Sequence, residues 1–443
     1  MGNGEMDRRG FLAASVAAVG AGLVPRRGVC AEGAASEVAD RPLVASEPML
    51  QAPAETTMGV VWAVGRMATG EVEFSESEDF AEARTVKTTG YGLVGFDDRV
   101  LSVRLTGLKP ATRYFYRIRT TAINYDKGGY RKSRGETEVG RVHSFRTCGA
   151  AAPSRFAVIN DTHMKWESFG MVTKKLRTLA PPVTIWNGDA LNATNSVEDA
   201  VRAVLTPEVA EKDYASGTGV LFNNGNHEYR GLFMRDPGKV FLPRLASERP
   251  PEFEALVRNY AVRQGDIALI GLDTGEDRPD EHPWHAGLCN CNAYRDAQTK
   301  WLEAALDAPE IRSAPFVVAS FHIPLVPRST ESANPMWWSE YCAKRWTPVF
   351  NRHKVQVAIV GHMHEYRCTP ADATRTWAQI EGGGFERRYR RIWTDEGMKD
   401  IDNPGLFPTV IEGEVREGRL VITVHDVWHD TVVGRHEFKS RCI

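Results

Sequence analysis

Five short blocks carry the residues best suited to chemistry: Asp161-Thr162-His163, Gly188-Asp189, Gly225-Asn226-His227-Glu228, His322 and Gly361-His362-Met363-His364. Each lies just past an apolar run, namely Phe156–Ile159, Val183–Trp186, Val220–Phe222, Phe316–Ala319 and Val355–Val360. A single His or Asp in such a place is usually a turn or capping residue. The set is different, because five of the twelve histidines occupy these positions together with two aspartates and an asparagine. Oxygen and imidazole donors on separate strand ends are what a borderline divalent metal needs, and buried carboxylates without a partner are costly. The chemistry these residues point to is that of a metal site.

Such a site has to be positioned by buried strands that end together. From Pro153 onward, apolar runs ending in polar residues alternate with helical stretches, so an α/β domain with its site at the strand ends is expected. Ala297–Leu306 has helical spacing, with Trp301 and Leu302 on the core side, while Thr409–Glu412 and Leu420–Asp426 suit closing strands of a second sheet. Structural roles are expected for His425 and His429. The stretches Glu276–Tyr294 and Val326–Trp346 lie beside motif loops, where they could wall a substrate pocket. Upstream the texture is β: Gly59–Val64, Val100–Leu105 and Tyr114–Arg119 are short β-branched or aromatic runs divided by turn residues, as in a small sandwich.

Composition narrows the function classes. Of 443 residues, 55 are Lys or Arg and 57 Asp or Glu, a net charge of −2. That is an ordinary globular balance without the basic excess of a nucleic-acid binder, so no nucleic-acid duplex binding is expected. Arg8-Arg9 precede a short apolar run, Phe11–Val24, that reads as an export signal ending near Ala31, and residues 32–47 as a linker. Cleavage would remove Cys30 and leave six cysteines, an even number that suits an oxidising compartment and one or two structural disulfides. Cys289 and Cys291 are too close in sequence for a bridge to each other to be expected, and no cysteine pair has the spacing of structural zinc.

The five blocks, in their order, resemble the signature of calcineurin-type metallophosphoesterases. Leu108–Tyr116 resembles the corner between late strands of fibronectin type III domains, with Tyr114 as the corner tyrosine, Trp62 as a core residue and Asn124–Arg141 as a long hairpin tip. Together the two halves resemble purple acid phosphatases and their bacterial relatives. Asp7–Leu12 resembles a twin-arginine signal, without the usual Ser or Thr before the pair and the Lys after Leu12. The resemblance implies a signal peptide over residues 1–31, an all-β fibronectin type III-like sandwich over 48–148, and an α/β metallophosphoesterase domain of four layers, α/β/β/α, over 153–443.

It further implies two metal ions, Mn, Fe, Zn or Co, in which Asp161, His163 and His364 hold one, Asn226, His322 and His362 the other, and Asp189 bridges them. A metal-bridging hydroxide would attack phosphorus, with His227 as proton donor to the leaving group and Asn226 orienting the phosphate. Purple acid phosphatases place an iron-binding tyrosine where this chain has Asn192, and glycine where it has His163, so an iron-tyrosinate centre is not expected. In the protein phosphatases of the superfamily an aspartate supports the donor histidine from the position of Asn192. The implied function is exported hydrolysis of a small-molecule phosphomonoester, in the periplasm or outside the cell and without a transmembrane anchor. The alternatives are a phosphodiesterase or nucleotidase with the same site, or a surface-binding protein that engages a cell-surface partner through the sandwich.

Overall fold

The computed structural model describes residues 41–442 apart from 91, 127–128, 234–236, 244–250, 254, 327–336, 386–388, 395 and 403–404. The expected signal peptide lies outside the described residues. Among the described residues no helix is long and apolar enough to cross a membrane.

Two sheets stack face to face at the centre. One runs through Arg155–Ile159, Val183–Asn187 and Gly219–Asn223, which pair in parallel; the other contains Ile267–Gly271, Phe316–Ser320 and Val357–Val360, also parallel. Strand side chains alternate between faces, and both faces of these strands are mainly apolar, with polar residues gathered at their C-terminal ends. Phe156, Val158, Ile185 and Leu221 meet Leu269, Phe316, Val318 and Ile359 between the sheets. The alternate residues, Ala157, Ile159 and Trp186, face outward onto the helix Trp166–Leu179, while Ala268, Val317 and Ala358 face Trp301, Leu302 and Trp346 of the helices Cys291–Asp307 and Trp337–Arg352. The outcome is the expected α/β/β/α order, with Trp301 and Leu302 buried as read.

The N-terminal sandwich has its own core around Trp62, Phe74, Tyr114 and Phe145. The Tyr114 hydroxyl accepts a hydrogen bond from the Lys109 backbone N–H at 3.0 Å, closing the expected corner, and Trp62 Nε1 donates to Thr120 Oγ1 at 3.0 Å. Three expectations are corrected. Asn124–Arg141 is not a hairpin tip: Arg113–Tyr125 continues as a long strand and Lys132–Val139 pairs back along it, exposed and polar as an edge strand can be. Thr409–Arg416 and Arg419–Asp426 do not close a second sheet but join the sheet of Arg155–Ile159, beside that strand. The chain also enters the fold before Pro48, since Leu43 is buried in the sandwich core and Val44 bridges Val64.

The two halves share a sheet. Met49–Gln51 pairs in parallel with Gly219–Asn223 and antiparallel with Met58–Ala63, so three sandwich strands complete a nine-stranded sheet.

Candidate metal centre

All five blocks meet at the C-terminal ends of the central strands. Ligand-type atoms of Asp161, His163, Asp189 and His364 lie within 4.8 Å of one another, and so do those of Asp189, His322 and His362. Asp189 belongs to both groups. Its Oδ2 is 3.4 Å from His163 Nε2 and 3.2 Å from His322 Nε2, while Asp161 Oδ1 is 3.3 Å from His364 Nε2. Asn226 Oδ1 lies 2.9 Å from His362 Nδ1. His227 stands at the rim, with Nε2 3.9 Å from Asp189 Oδ2.

The backbone is forced to bring these side chains inward. Asp161, His163, Asp189, His362 and His364 all have φ between 45° and 70°, a left-handed conformation that costs a non-glycine residue about 1–3 kcal/mol. Glycines make room: a Cβ on Gly188 would lie 2.5 Å from His322 Nδ1, and one on Gly225 would run into the Asp189 carboxylate. Strain of this kind concentrated on one cluster marks a functional site.

Second partners hold each ring. His322 Nδ1 donates to the Asn187 carbonyl at 2.8 Å, and His163 Nδ1 to Asn192 Oδ1 at 2.8 Å. Both Nε2 atoms are then left buried without a hydrogen-bond partner, which is what a ring prepared for a cation looks like. Asn192 thus stands where the resemblance would have an iron-binding tyrosine, but orients an imidazole ligand instead. Its backbone carbonyl also accepts from His227 Nδ1 at 2.7 Å, so His227 is oriented without the aspartate seen in protein phosphatases.

The charges agree with a site built for cations. Burial raises the Asp189 and Asp161 carboxyls, but the facing imidazoles outweigh it and hold both below the usual carboxylate range. Burial opposes charge on His322, yet Asp189 and Asp161 push it up to about 10. Burial and the neighbouring His322 push His362 down to about 3, leaving the neutral ring that ligates metals. His227 is also lowered, by burial first and then by Arg230 and His163, against the pull of Asp189.

Several contributors were not assigned from sequence. Glu228, quoted only as the end of its block, is fully buried and accepts from the backbone N–H groups of Asp189 (2.8 Å), Ala190 (2.8 Å) and Gly225 (2.7 Å), buckling two ligand loops together. Burial and the nearby Asp189 push its carboxyl up to about 7. Asn187, Asn223 and Ser320 form a buried network beneath the site that ties the two sheets: Asn223 Nδ2 donates to Asn187 Oδ1 at 2.7 Å and to Ser320 Oγ at 3.0 Å, and Ser320 Oγ donates to Asn187 Oδ1 at 3.1 Å. The signal for these was the repeated Asn at the strand ends. Arg230 places Nη1 3.1 Å from His227 Nε2 and is held by Glu276 and Asp277.

The disulfide expectation is corrected. Among the described residues Cys148, Cys289, Cys291, Cys342, Cys368 and Cys442 form no disulfide, and no bridge joins the loops carrying Cys289 and Cys342. Cys289 and Cys291 do approach to 3.2 Å and, with Asp280, form a third group of metal-type atoms; Asp280 there also accepts the N–H groups of Cys291 and Asn292 at the start of a helix. Of the two inserts, 276–294 lies beside Arg230, whereas residues 327–336 of the other lie outside the described residues.

A paired-sheet fold ending in a strained cluster of Asp and His is the architecture of the metal-dependent phosphoesterases. The profile of the calcineurin-like phosphoesterases matches residues 154–366, and that of the purple acid phosphatase N-terminal domain matches residues 47–147. Purple acid phosphatase 15 of Arabidopsis thaliana is 22% identical over 302 residues, covering 62% of this chain and 50% of that protein. The chain therefore spans half the length of this curated relative. The purple acid phosphatase isolated from yellow lupin (Lupinus luteus) seeds superposes with a TM-score of 0.57 at 14% identity, covering 88% of this chain and 74% of that one. PhoD gives 0.57 at 12% identity, covering 90% and 92%. The chain carries a calcineurin-like phosphoesterase domain and, before it, a purple acid phosphatase N-terminal domain.

Proposed function

We propose that this chain is an exported phosphoesterase that uses two metal ions and acts first on phosphomonoesters. The observation that carries the reading is the buried Asp189 carboxylate shared by two groups of His and Asp. Asp161, His163 and His364 would hold one ion, Asn226, His322 and His362 the other, and Asp189 both. Two cations bound there would lower the pKa of a water, clamp the phosphoryl oxygens and offset charge in the transition state.

The chain's own groups do the rest. His227 is held through Nδ1 by the Asn192 carbonyl and accepts at Nε2 from Arg230; to hand a proton to the leaving oxygen its ring would carry a second proton on Nε2 and release Arg230. Arg230, beside it, offers a guanidinium to the phosphoryl group, and Asn226 lies where its amide can orient the same oxygens. With Asn192 in place of tyrosine the donor set is nitrogen and oxygen, which suits Mn, Fe, Zn or Co. Likeness to purple acid phosphatases supports monoesters over diesters or nucleotides. Against a surface-binding protein with an inactive domain stands the complete ligand set. The twin-arginine-like start supports export to the periplasm or beyond, since metal could then be loaded before transport.

The test is elemental analysis of untagged protein together with p-nitrophenyl phosphate and bis-p-nitrophenyl phosphate hydrolysis, for wild type and Asp189→Asn. About two metals per chain, faster monoester turnover and loss of activity in the variant are expected. No bound metal and no turnover after supply of Mn, Zn, Fe or Co would overturn the reading; a diester preference would select the alternative.

A further inference from the structure

We propose that the cleft beside Arg230 is the subsite for the organic half of the substrate, and that this half is a flat aromatic group. The proposal rests on the phosphoesterase reading above and names its substrate class.

The cleft has a volume of about 660 Å³ and is lined by Arg230, Tyr229, Leu232, Trp284, Leu288 and Tyr294 among others. That is more room than a phosphate needs and within the range of an organic ligand. Large apolar side chains scattered singly on a surface need no explanation. Here three that are among the most exposed line one cleft: Leu232 at 83%, Trp284 at 71% and Leu288 at 71%. A contiguous apolar patch of this kind marks a binding surface.

Its position says which part of the substrate would occupy it. Arg230 lies in the cleft and its Nη1 is 3.1 Å from His227 Nε2, the ring atom that is also 3.9 Å from Asp189 Oδ2, so the cleft and the ligand cluster meet at that nitrogen. A leaving group that takes its proton from His227 therefore departs toward the cleft. Its chemistry says what kind of group. The Arg278 guanidinium stacks 3.9 Å from the Trp284 ring centroid and is paired with Asp277, and His282 packs edge-on against the same ring. The indole is therefore held as a platform. Of the charged groups around it, Arg230 and Arg278 are matched by Glu276 and Asp277, so the cleft offers no net positive charge to a second phosphate. An aromatic, weakly charged moiety fits, and a polyphosphorylated one does not.

The experiment compares kcat/KM of the metal-loaded full chain for 2-naphthylmethyl phosphate, adenosine 5′-monophosphate and ethyl phosphate; the alcohols released from the first and last are of similar acidity. Binding of the non-hydrolysable 2-naphthylmethylphosphonate and ethylphosphonate is measured by calorimetry alongside. The expected result is a preference of about ten-fold or more for an aromatic ester over the ethyl ester, mirrored in phosphonate binding and reduced about ten-fold in the ratio by Trp284→Ala and by Leu288→Ala. Whichever aromatic ester shows the larger drop identifies the source, an aryl ester or a nucleotide. Equal kcat/KM for aromatic and ethyl esters, or a ratio unmoved by both substitutions, overturns the subsite. Hydrolysis of none of the three by wild type overturns the phosphoesterase reading instead.

Discussion

Replacing Asn192 by alanine separates two jobs that one residue performs. The side chain holds His163 through a 2.8 Å bond to Nδ1, whereas His227 is held by the backbone carbonyl, which the substitution keeps. His163 is buried, so its Nδ1–H would be left without a partner, at a cost of about 1–3 kcal/mol. Spent against the ligating geometry, that is about 5–150-fold in metal affinity, which brackets the 10–100-fold typical of losing a partner behind a ligand. Asn192→Ala should therefore weaken one of the two ions about 10–100-fold, read by chelator competition with metal counted per chain. At saturating metal kcat should return to within about three-fold of wild type, because His227 keeps its orientation. Asn192→Asp, which restores an acceptor, should recover the affinity. Unchanged metal retention in Asn192→Ala would refute the reasoning. So would a kcat that excess metal does not rescue, since Asn192 would then act on the substrate rather than through His163.

Glu228→Gln turns an acceptor of three backbone N–H groups into one that must set its own N–H against at least one of them. A loss of about 2–4 kcal/mol of unfolding free energy in urea is expected, and a change under about 0.5 kcal/mol would show that Glu228 does not buckle the loops. Tyr114→Phe strips the Lys109 N–H of its partner and should cost about 1 kcal/mol without altering turnover per folded molecule; a large change in turnover would contradict a purely structural corner. A chain beginning at residue 148 should fail to give soluble, protease-resistant protein, and recovery of soluble protein with wild-type turnover would refute the shared-sheet account.

The metal-type residues were legible because ligation restricts both kind and place: only a few side chains serve, and they must follow buried strands at one sheet edge. Asp161, His163, Asp189, Asn226, His322, His362 and His364 therefore stood out before any geometry was known. The residues that hold them did not. Glu228 acts by accepting backbone N–H groups, and nothing in a glutamate's neighbours announces that role. Asn192 was visible only as the absence of a tyrosine or an aspartate, although its side chain and its carbonyl orient two histidines. The cysteines misled because an even count carries no distances: buried Cys148 and Cys342 pack in separate apolar cores as small hydrophobic residues. Polar, exposed Lys132–Val139 looked like a loop because an edge strand can be stabilised by its ladder alone.

The boundary between the halves shows how a pattern that marks two modules can describe one structural unit. The composition changes near Ala150, and each half has its own apolar core. Yet Met49, Val61, Ala63 and Val100 from the sandwich pack in the same core as Trp186 and Val220, on the helix side of the central sheet. Gln51 bonds the Val240 carbonyl at 2.9 Å and the Leu242 N–H at 2.8 Å, Arg104 reaches the Pro243 carbonyl at 2.7 Å, and Tyr116 donates to the Ser216 carbonyl at 2.8 Å. Without the sandwich, the strand Gly219–Asn223 would be left as an open edge beside uncovered apolar residues, the situation that drives edge-to-edge aggregation. That strand ends in Asn223 and leads directly to Gly225, Asn226 and His227. The sandwich therefore supports the metal centre through the strand that delivers three of its site residues, and its removal should reach the chemistry by way of the sheet.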